Sequence, residues 1–211
     1  MYAFFECCAR LLADERYGQV EVVARQPLAA EVSRHPRLAV RIGDVAALAG
    51  YAPPADDVYI ALGTTIKVAG SEAAFRAVDF DLVIAVARAA REAGASRLGL
   101  VSALGADPAS RVFYNRVKGA AEAAVSALGY ASVVIARPSL LSGDRAALGQ
   151  PTRSGEVWAK RLTAPLRRLV PAALRPIDAS AVAAALLAAV ASAAPGVHVL
   201  SSAAMQEFAP R

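Results

Sequence analysis

Short apolar runs alternate along this chain with longer segments whose apolar residues recur every three or four positions. The short runs, Val20–Ala24, Leu38–Ile42, Val58–Leu62, Leu98–Ser102, Ser132–Ala136 and Val197–Leu200, predict β-strands. Most are apolar throughout, as parallel strands covered on both faces are. The longer segments predict helices near 6–14, 71–93, 112–128, 155–170 and 179–192. The segment 71–93 sets Phe75, Val78, Leu82, Val86 and Ala89 on one face, with Arg76, Asp79, Arg88 and Arg91 mostly elsewhere, and Gly94 is its natural stop. Strands alternating with helices imply right-handed crossovers, hence an α/β, doubly wound, mostly parallel sheet with helices on both faces. Ligands of such sheets collect at the carboxyl ends of the strands, so chemistry is sought just after each strand.

Composition narrows this picture. The 211 residues carry no internal repeat, which makes a single domain over 1–211 the expectation. Alanine accounts for 52 of them, so the high apolar fraction reflects small side chains rather than a membrane span. The longest apolar run, Ala179 to Ala194, is 16 residues with two serines, shorter than a span requires. No basic segment followed by an apolar stretch and cleavage site opens the chain. Its two cysteines, Cys7 and Cys8, are adjacent; neighbours rarely bridge and two thiols alone build no zinc site, so a reducing cytoplasm is expected. The net charge of +5 rests on 20 Arg and 3 Lys. Arg161, Arg167, Arg168 and Arg175 are interleaved with Leu162, Leu166, Leu169 and Val170 at helical spacing, which favours a solvated arginine face over a nucleic-acid or membrane patch. A basic pocket also suits an anionic cofactor.

Three strand ends carry candidate chemistry. Leu62-Gly63-Thr64-Thr65 offers a close backbone approach and two hydroxyls, although a plain turn reads the same. Ser102 ends the next strand, and twelve residues later comes Tyr114-Asn115-Arg116-Val117-Lys118. Tyr114 and Lys118 are i and i+4, hence on one helix face. An ammonium one turn from a phenol stabilises phenolate and lowers its pKa, so such a tyrosine can exchange a proton with a carbonyl or alcohol oxygen at neutral pH. Ser102 could hold the same oxygen. The plain alternative is a chance pair on a solvated helix. After the fifth strand, Arg137-Pro138-Ser139-Leu140 leads into Gly143-Asp144-Arg145, which also reads as an ordinary loop. His35, in a polar loop, and His198, in the last strand, read as structural, and Trp158 as core.

These motifs in this order resemble the atypical short-chain dehydrogenase/reductases, within them a branch like the Tat-interacting-protein-type oxidoreductases. They are Leu62 to Thr65, Val101-Ser102-Ala103-Leu104-Gly105-Ala106-Asp107, Tyr114-x-x-x-Lys118-Gly119 with Glu122, and Arg137-Pro138-Ser139 through Arg145. The likeness runs from about residue 9 to about residue 200 and is most specific over 58–145. It implies a Rossmann domain with its cofactor half over about 1–130, substrate-side segments over about 138–178, and NADP(H) or NAD(H) as cofactor. Tyr114 would be the proton donor or acceptor, Lys118 the residue that holds the nicotinamide ribose and tunes Tyr114, and Ser102 a further catalytic residue. Leu62, Gly63 and Thr64 would pass near the cofactor, and Pro138, Ser139 and Leu140 would lie beside the nicotinamide. Arg25 ends a strand where a guanidinium can meet the adenosine 2′-phosphate, and no carboxylate stands there to repel it, so NADPH is expected over NADH. Asp44 matches an acidic position near adenine.

Two departures accompany the resemblance. Ala103 stands where the family usually has the second of two serines. The sequence also opens at the first helix, without the family's first strand and its glycine-rich turn, which seats a pyrophosphate. That strand is central in a 3-2-1-4-5 order, so its absence is expected to leave two strands without a shared neighbour. Three readings follow. One is an oxidoreductase moving hydride to or from a small carbonyl or alcohol. Another is a catalytically silent NAD(P)-sensing or partner-binding protein, and the third an N-terminally truncated fragment. Nucleic acid and integral membrane partners are not expected.

Overall fold

The computed structural model describes residues 2–25, 27–28, 30–43, 52–142 and 171–209. In chain order they form α1 (Tyr2–Ala13), β1 (Val20–Ala24), α2 (Ala30–Ser33), β2 (Leu38–Ile42), β3 (Asp57–Ile60), α3 (Ile66–Ala69) and α4 (Glu72–Arg76). A π-helical segment (Ala77–Leu82) joins α4 to α5 (Val83–Glu92). Then come β4 (Arg97–Val101), α6 (Phe113–Ser126), β5 (Ser132–Arg137), β6 (Leu141–Ser142), β7 (Ile177–Asp178), α7 (Ala179–Ala191), β8 (Gly196–Ser201) and α8 (Ser202–Met205). The expected helix over 155–170, Trp158 and the arginine-rich stretch before Arg175 lie outside the described residues, as does Asp44.

Every strand pair is parallel, as the apolar runs require. Strands β3-β4-β5-β8 form one sheet, β1 and β2 a second, and the short β6 and β7 a third. Among the described residues β1 and β3 share no ladder and belong to different sheets. Tyr17 ties the two regions instead. Its hydroxyl donates to Asp57 Oδ2 at 2.8 Å and lies 2.6 Å from the Tyr59 hydroxyl.

Strand alternation places two cores on the two faces of the larger sheet. Val134 and Ala136 face Val182, Ala183 and Leu186 of α7, which also packs against Cys7, Leu11 and Leu12 of α1. Val133 and Ile135 face the other way, onto Val83 and Ala87 of α5 and Ala121 and Val125 of α6. Arg37 caps the end of α1, donating to the carbonyls of Tyr17 at 2.6 Å, Asp14 at 3.1 Å and Leu12. His198 Nε2 meets the Ala194 and Pro195 carbonyls, and His35 Nδ1 accepts from the Arg37 amide, which are structural roles.

Two boundaries differ from the sequence pattern, and both matter for the site. The β3–β4 register begins with Asp57 opposite Arg97, whose side chains form an ion pair, and ends with Ile60 opposite Leu100. Leu62, Gly63 and Ser102 therefore lie just past the ladder. The expected single helix over 71–93 is three consecutive segments, begun by Ser71, whose hydroxyl accepts from the Ala74 amide at 3.1 Å. A separate turn of helix, α3, precedes it, capped in the same way by Thr65.

Burial raises the pKa of four tyrosines: Tyr17 and Tyr130 to about 12, and Tyr59 and Tyr114 also upward. In the unfolded chain these phenols ionise near ~10. Between the two values the folded state holds the extra protons, so stability falls as pH rises through that window. Alkaline titration followed by phenolate absorbance should therefore show late ionisation that coincides with unfolding by circular dichroism. Full ionisation of these tyrosines at pH ~10 in a folded protein would contradict the burial.

Candidate active site

The site is built at the carboxyl ends of β3, β4 and β5. Past β3 the chain runs through Leu62 and Gly63 to Thr64, whose backbone N–H donates to Asp79 Oδ2 at 2.9 Å. Asp79 belongs to the π-helical segment and is fully buried. Its Oδ1 lies 2.7 Å from Nζ of Lys118, itself buried on α6. Gly63 passes over this ion pair. A Cβ there would stand 3.3 Å from Asp79 Oδ1 and 3.5 Å from Lys118 Nζ. Gly63, Thr64 and Lys118, separate motifs in the sequence, are thus joined through a carboxylate that the sequence pattern set mostly off the apolar face of its helix. The missed signal was Asp79 itself, an acidic residue four positions after Phe75 and three before Leu82, both of which are buried.

Tyr114 shares the helical face of Lys118, as the i,i+4 spacing requires. Its ring packs against Phe75 at 5.4 Å between centroids. The electrostatics differ from the sequence expectation. Lys118 was expected to lower the Tyr114 pKa, but its charge is matched by Asp79, and the Tyr114 pKa is raised, by burial first and by the Asp79 charge second. The phenol is therefore held in its protonated form.

Ser102 sits at the end of β4, where its amide continues the ladder to the Ala136 carbonyl at 2.8 Å. Its hydroxyl is buried and finds no hydrogen-bond partner among the described residues. An orphaned hydroxyl at a strand end is a position that a ligand oxygen can complete. The loops after β4 and β5 are joined by the Leu104 amide, which donates to the Pro138 carbonyl at 2.8 Å. Gly105 turns there at φ 81° beside Asn115, and the Asp107 amide donates to the Asn115 carbonyl at 3.1 Å. One turn beyond Lys118, buried Glu122 pairs with Arg137 at 2.5 Å and fixes α6 against the end of β5.

The remaining expected residues are dispersed. Pro138 is buried and Leu140 is exposed. The Ser139 hydroxyl is already committed: it donates to the Arg175 carbonyl and accepts from Ser202 at 3.0 Å. Its side chain therefore ties β5 to the segment before β7, which leaves only its backbone to approach a ligand. Arg25 is exposed at the end of β1, in the other sheet. The described residues include no group of three metal-ligating side chains and no helix long and apolar enough to cross a membrane.

A parallel α/β sheet with such a cluster at its strand ends defines an NAD(P)-binding Rossmann-type protein, and comparison with known proteins agrees. The profile of a family described as NAD(P)H-binding matches residues 6–161, and the chain belongs to that family. Among curated relatives, it is 43% identical over 93 residues to the protein FMP52, mitochondrial, of Coccidioides immitis, covering 44% of this chain and 38% of that protein. It is 32% identical over 154 residues to the protein HTATIP2 of Rattus norvegicus, covering 72% of this chain and 62% of that protein. The chain thus spans between about 38% and 62% of these relatives' length. Among solved structures, MoeE5 with UDP-glucuronic acid and NAD superposes with a TM-score of 0.69 at 18% identity, over 94% of this chain and 72% of that one. The enzyme WbmH of Bordetella bronchiseptica with NAD+ gives 0.66 at 18% identity, over 95% and 72%. At that identity the likeness is one of fold.

The cytoplasmic expectation is overturned by the fungal relatives, which are named as mitochondrial proteins. It rested on two free thiols. These argue for a reducing setting at most and do not tell one reducing compartment from another.

Proposed function

We propose that this protein is an NAD(P)-dependent oxidoreductase acting on a small carbonyl or alcohol. The observation that carries the reading is the convergence of Tyr114, Lys118 and the Gly63–Thr64 turn on the buried Asp79 carboxylate, with the buried, unpartnered Ser102 hydroxyl following β4. The residues fit a dinucleotide: Gly63, bare of a side chain, lets the backbone lie close to a ligand, and the Lys118 ammonium carries three donors.

When bound, the dinucleotide supplies or accepts the hydride. Lys118 and the backbone from Leu62 to Thr64 would hold its ribose side, and Pro138, Ser139 and Leu140 would lie on its nicotinamide side. Ser102 donates a hydrogen bond to the substrate oxygen. In the reducing direction the phenol of Tyr114 gives its proton to that oxygen as hydride reaches the carbonyl carbon. Oxidation runs the same transfers backwards. A protonated Tyr114 suits the reducing direction.

A catalytically silent NAD(P)-sensing or partner-binding protein is the second reading, favoured by the Asp79 carboxylate that offsets the Lys118 charge near Tyr114. The two separate cleanly when the protein is given NADPH with a panel of aldehydes and ketones. Substrate-dependent loss of NADPH absorbance supports the enzyme, and saturable binding without turnover supports the silent protein.

The coenzyme is proposed to be NADPH, through Arg25. Wild type should bind NADPH more tightly than NADH, and Arg25→Ala should weaken NADPH by about tenfold or more, the size of a charge-assisted contact, while sparing NADH. Equal affinities in wild type would remove Arg25 from this role.

A further inference from the structure

We infer that Asp79 is a positioning residue that clamps Lys118 to the Gly63–Thr64 turn, so that one carboxylate sets both sides of the dinucleotide's ribose site. The inference rests on the proposed function for what is positioned, but the clamp itself rests on geometry alone.

Asp79 joins two elements that no strand pairing connects. Oδ2 accepts from the Thr64 amide at 2.9 Å, in the loop past β3, and Oδ1 lies 2.7 Å from Lys118 Nζ on α6. Both charges are buried, Asp79 completely. Burying a carboxylate and an ammonium carries a desolvation cost that an apolar pair of similar volume would avoid, so stability alone does not account for the pair. The local backbone is unusual as well. The helix is wound as π only over Ala77–Leu82, around Asp79, between ordinary α-turns on both sides. Such segments are rare and recur at functional sites, because the widened turn re-aims a side chain. Here the inward set is Phe75, which packs on Tyr114, then Asp79, then Leu82 and Val83 in the core. The π segment thus delivers one carboxylate between Tyr114, Lys118 and Thr64. Gly63 completes the arrangement: its bare Cα leaves just enough room for the backbone to cross the pair.

A purely structural Asp79 and a positioning Asp79 predict different results for Asp79→Asn. Asn retains the shape and an acceptor for Thr64 but loses the charge that holds Lys118. Three lysines make the readout simple. Amine acylation followed by mass spectrometry reports Lys118 separately from Lys67 and Lys160.

In Asp79→Asn, Lys118 should acylate at least about tenfold faster than in wild type, and NADPH should bind about tenfold more weakly, the effect of losing one oriented charged contact. Turnover should fall further than affinity, by on the order of 100-fold, as for a displacement of about 1 Å at a reacting group. Asp79→Glu, which restores the charge on a longer arm, should recover part of both losses. Unchanged acylation together with wild-type NADPH affinity in Asp79→Asn overturns the clamp. If Asp79→Asn does not fold, Asp79→Glu decides: wild-type affinity and wild-type Lys118 reactivity in that variant overturn it, and a loss in either supports it. Failure of wild type to bind either dinucleotide would sink the proposed function, while the acylation result would still read the clamp.

Discussion

Tyr114→Phe should lower carbonyl reduction by about 10²–10⁴-fold, the usual contribution of a positioned acid–base group, while leaving NADPH affinity nearly unchanged. The change removes one oxygen from a ring that otherwise packs on Phe75, so the fold and the neighbouring Asp79–Lys118 pair are expected to persist. The pH dependence carries the sharper information. Burial first, and the charge of Asp79 second, push the Tyr114 pKa up. The protonated phenol needed for reduction therefore persists through neutral and mildly alkaline pH and is lost only above the ordinary phenol range near ~10. Alcohol oxidation needs the phenolate, so its rate should climb with pH over the same range. Initial rates in both directions, for wild type and Tyr114→Phe, test this. Full reductive activity in Tyr114→Phe would exclude Tyr114, and an oxidation rate that levels off near neutrality would contradict the raised pKa.

The strand–helix alternation was legible because parallel strands buried on both faces must be apolar throughout, and Val20–Ala24 and Leu38–Ile42 match their predicted bounds. Strand ends were less legible. The apolar run Val58–Leu62 does not mark where pairing stops. The register with β4, opened by the Asp57–Arg97 ion pair, does, and that is a long-range fact. The Tyr114/Lys118 face was legible because i,i+4 geometry is local. The partner of Lys118 was not. A helical projection at 3.6 residues per turn treats Asp79 as one more polar residue, whereas in the structure a π segment turns it inward onto α6 and the β3 loop. Local rules miss it because the rule changes at that turn. Ser139 shows the opposite case: its place in the sequence motif says nothing of the Ser202 and Arg175 contacts, made with residues far along the chain, that occupy its hydroxyl.

Gly119→Ala should destabilise the protein although it replaces glycine with the best helix former in the middle of α6. Helix propensity alone favours alanine by about 1 kcal/mol. Packing opposes it. An added Cβ would fall 2.5 Å from the Asp107 nitrogen and closer still to Asp107 C and Pro108 N. These are backbone atoms, not the far end of a flexible side chain, so the loop or the helix must move. Overpacking of this kind costs about 1–3 kcal/mol, and more where backbone is displaced, so the clash outweighs the propensity gain. At 2–4 °C per kcal/mol for a chain of roughly this size, Tm should fall by several degrees. The same strain should reach the chemistry. The displaced loop runs from Ser102 to Tyr114 and is held by the Asp107 amide on the Asn115 carbonyl and by the Leu104 amide on the Pro138 carbonyl. Pushing it off α6 separates Ser102 from the Tyr114 face, so kcat should drop by on the order of 10²-fold while NADPH affinity, set on the Lys118 and Gly63 side, changes less. Thermal unfolding and steady-state kinetics on the one variant read both effects. A raised Tm would mean that the loop yields freely, and the close packing of Gly119 on Asp107–Pro108 would then have no part in aligning the site.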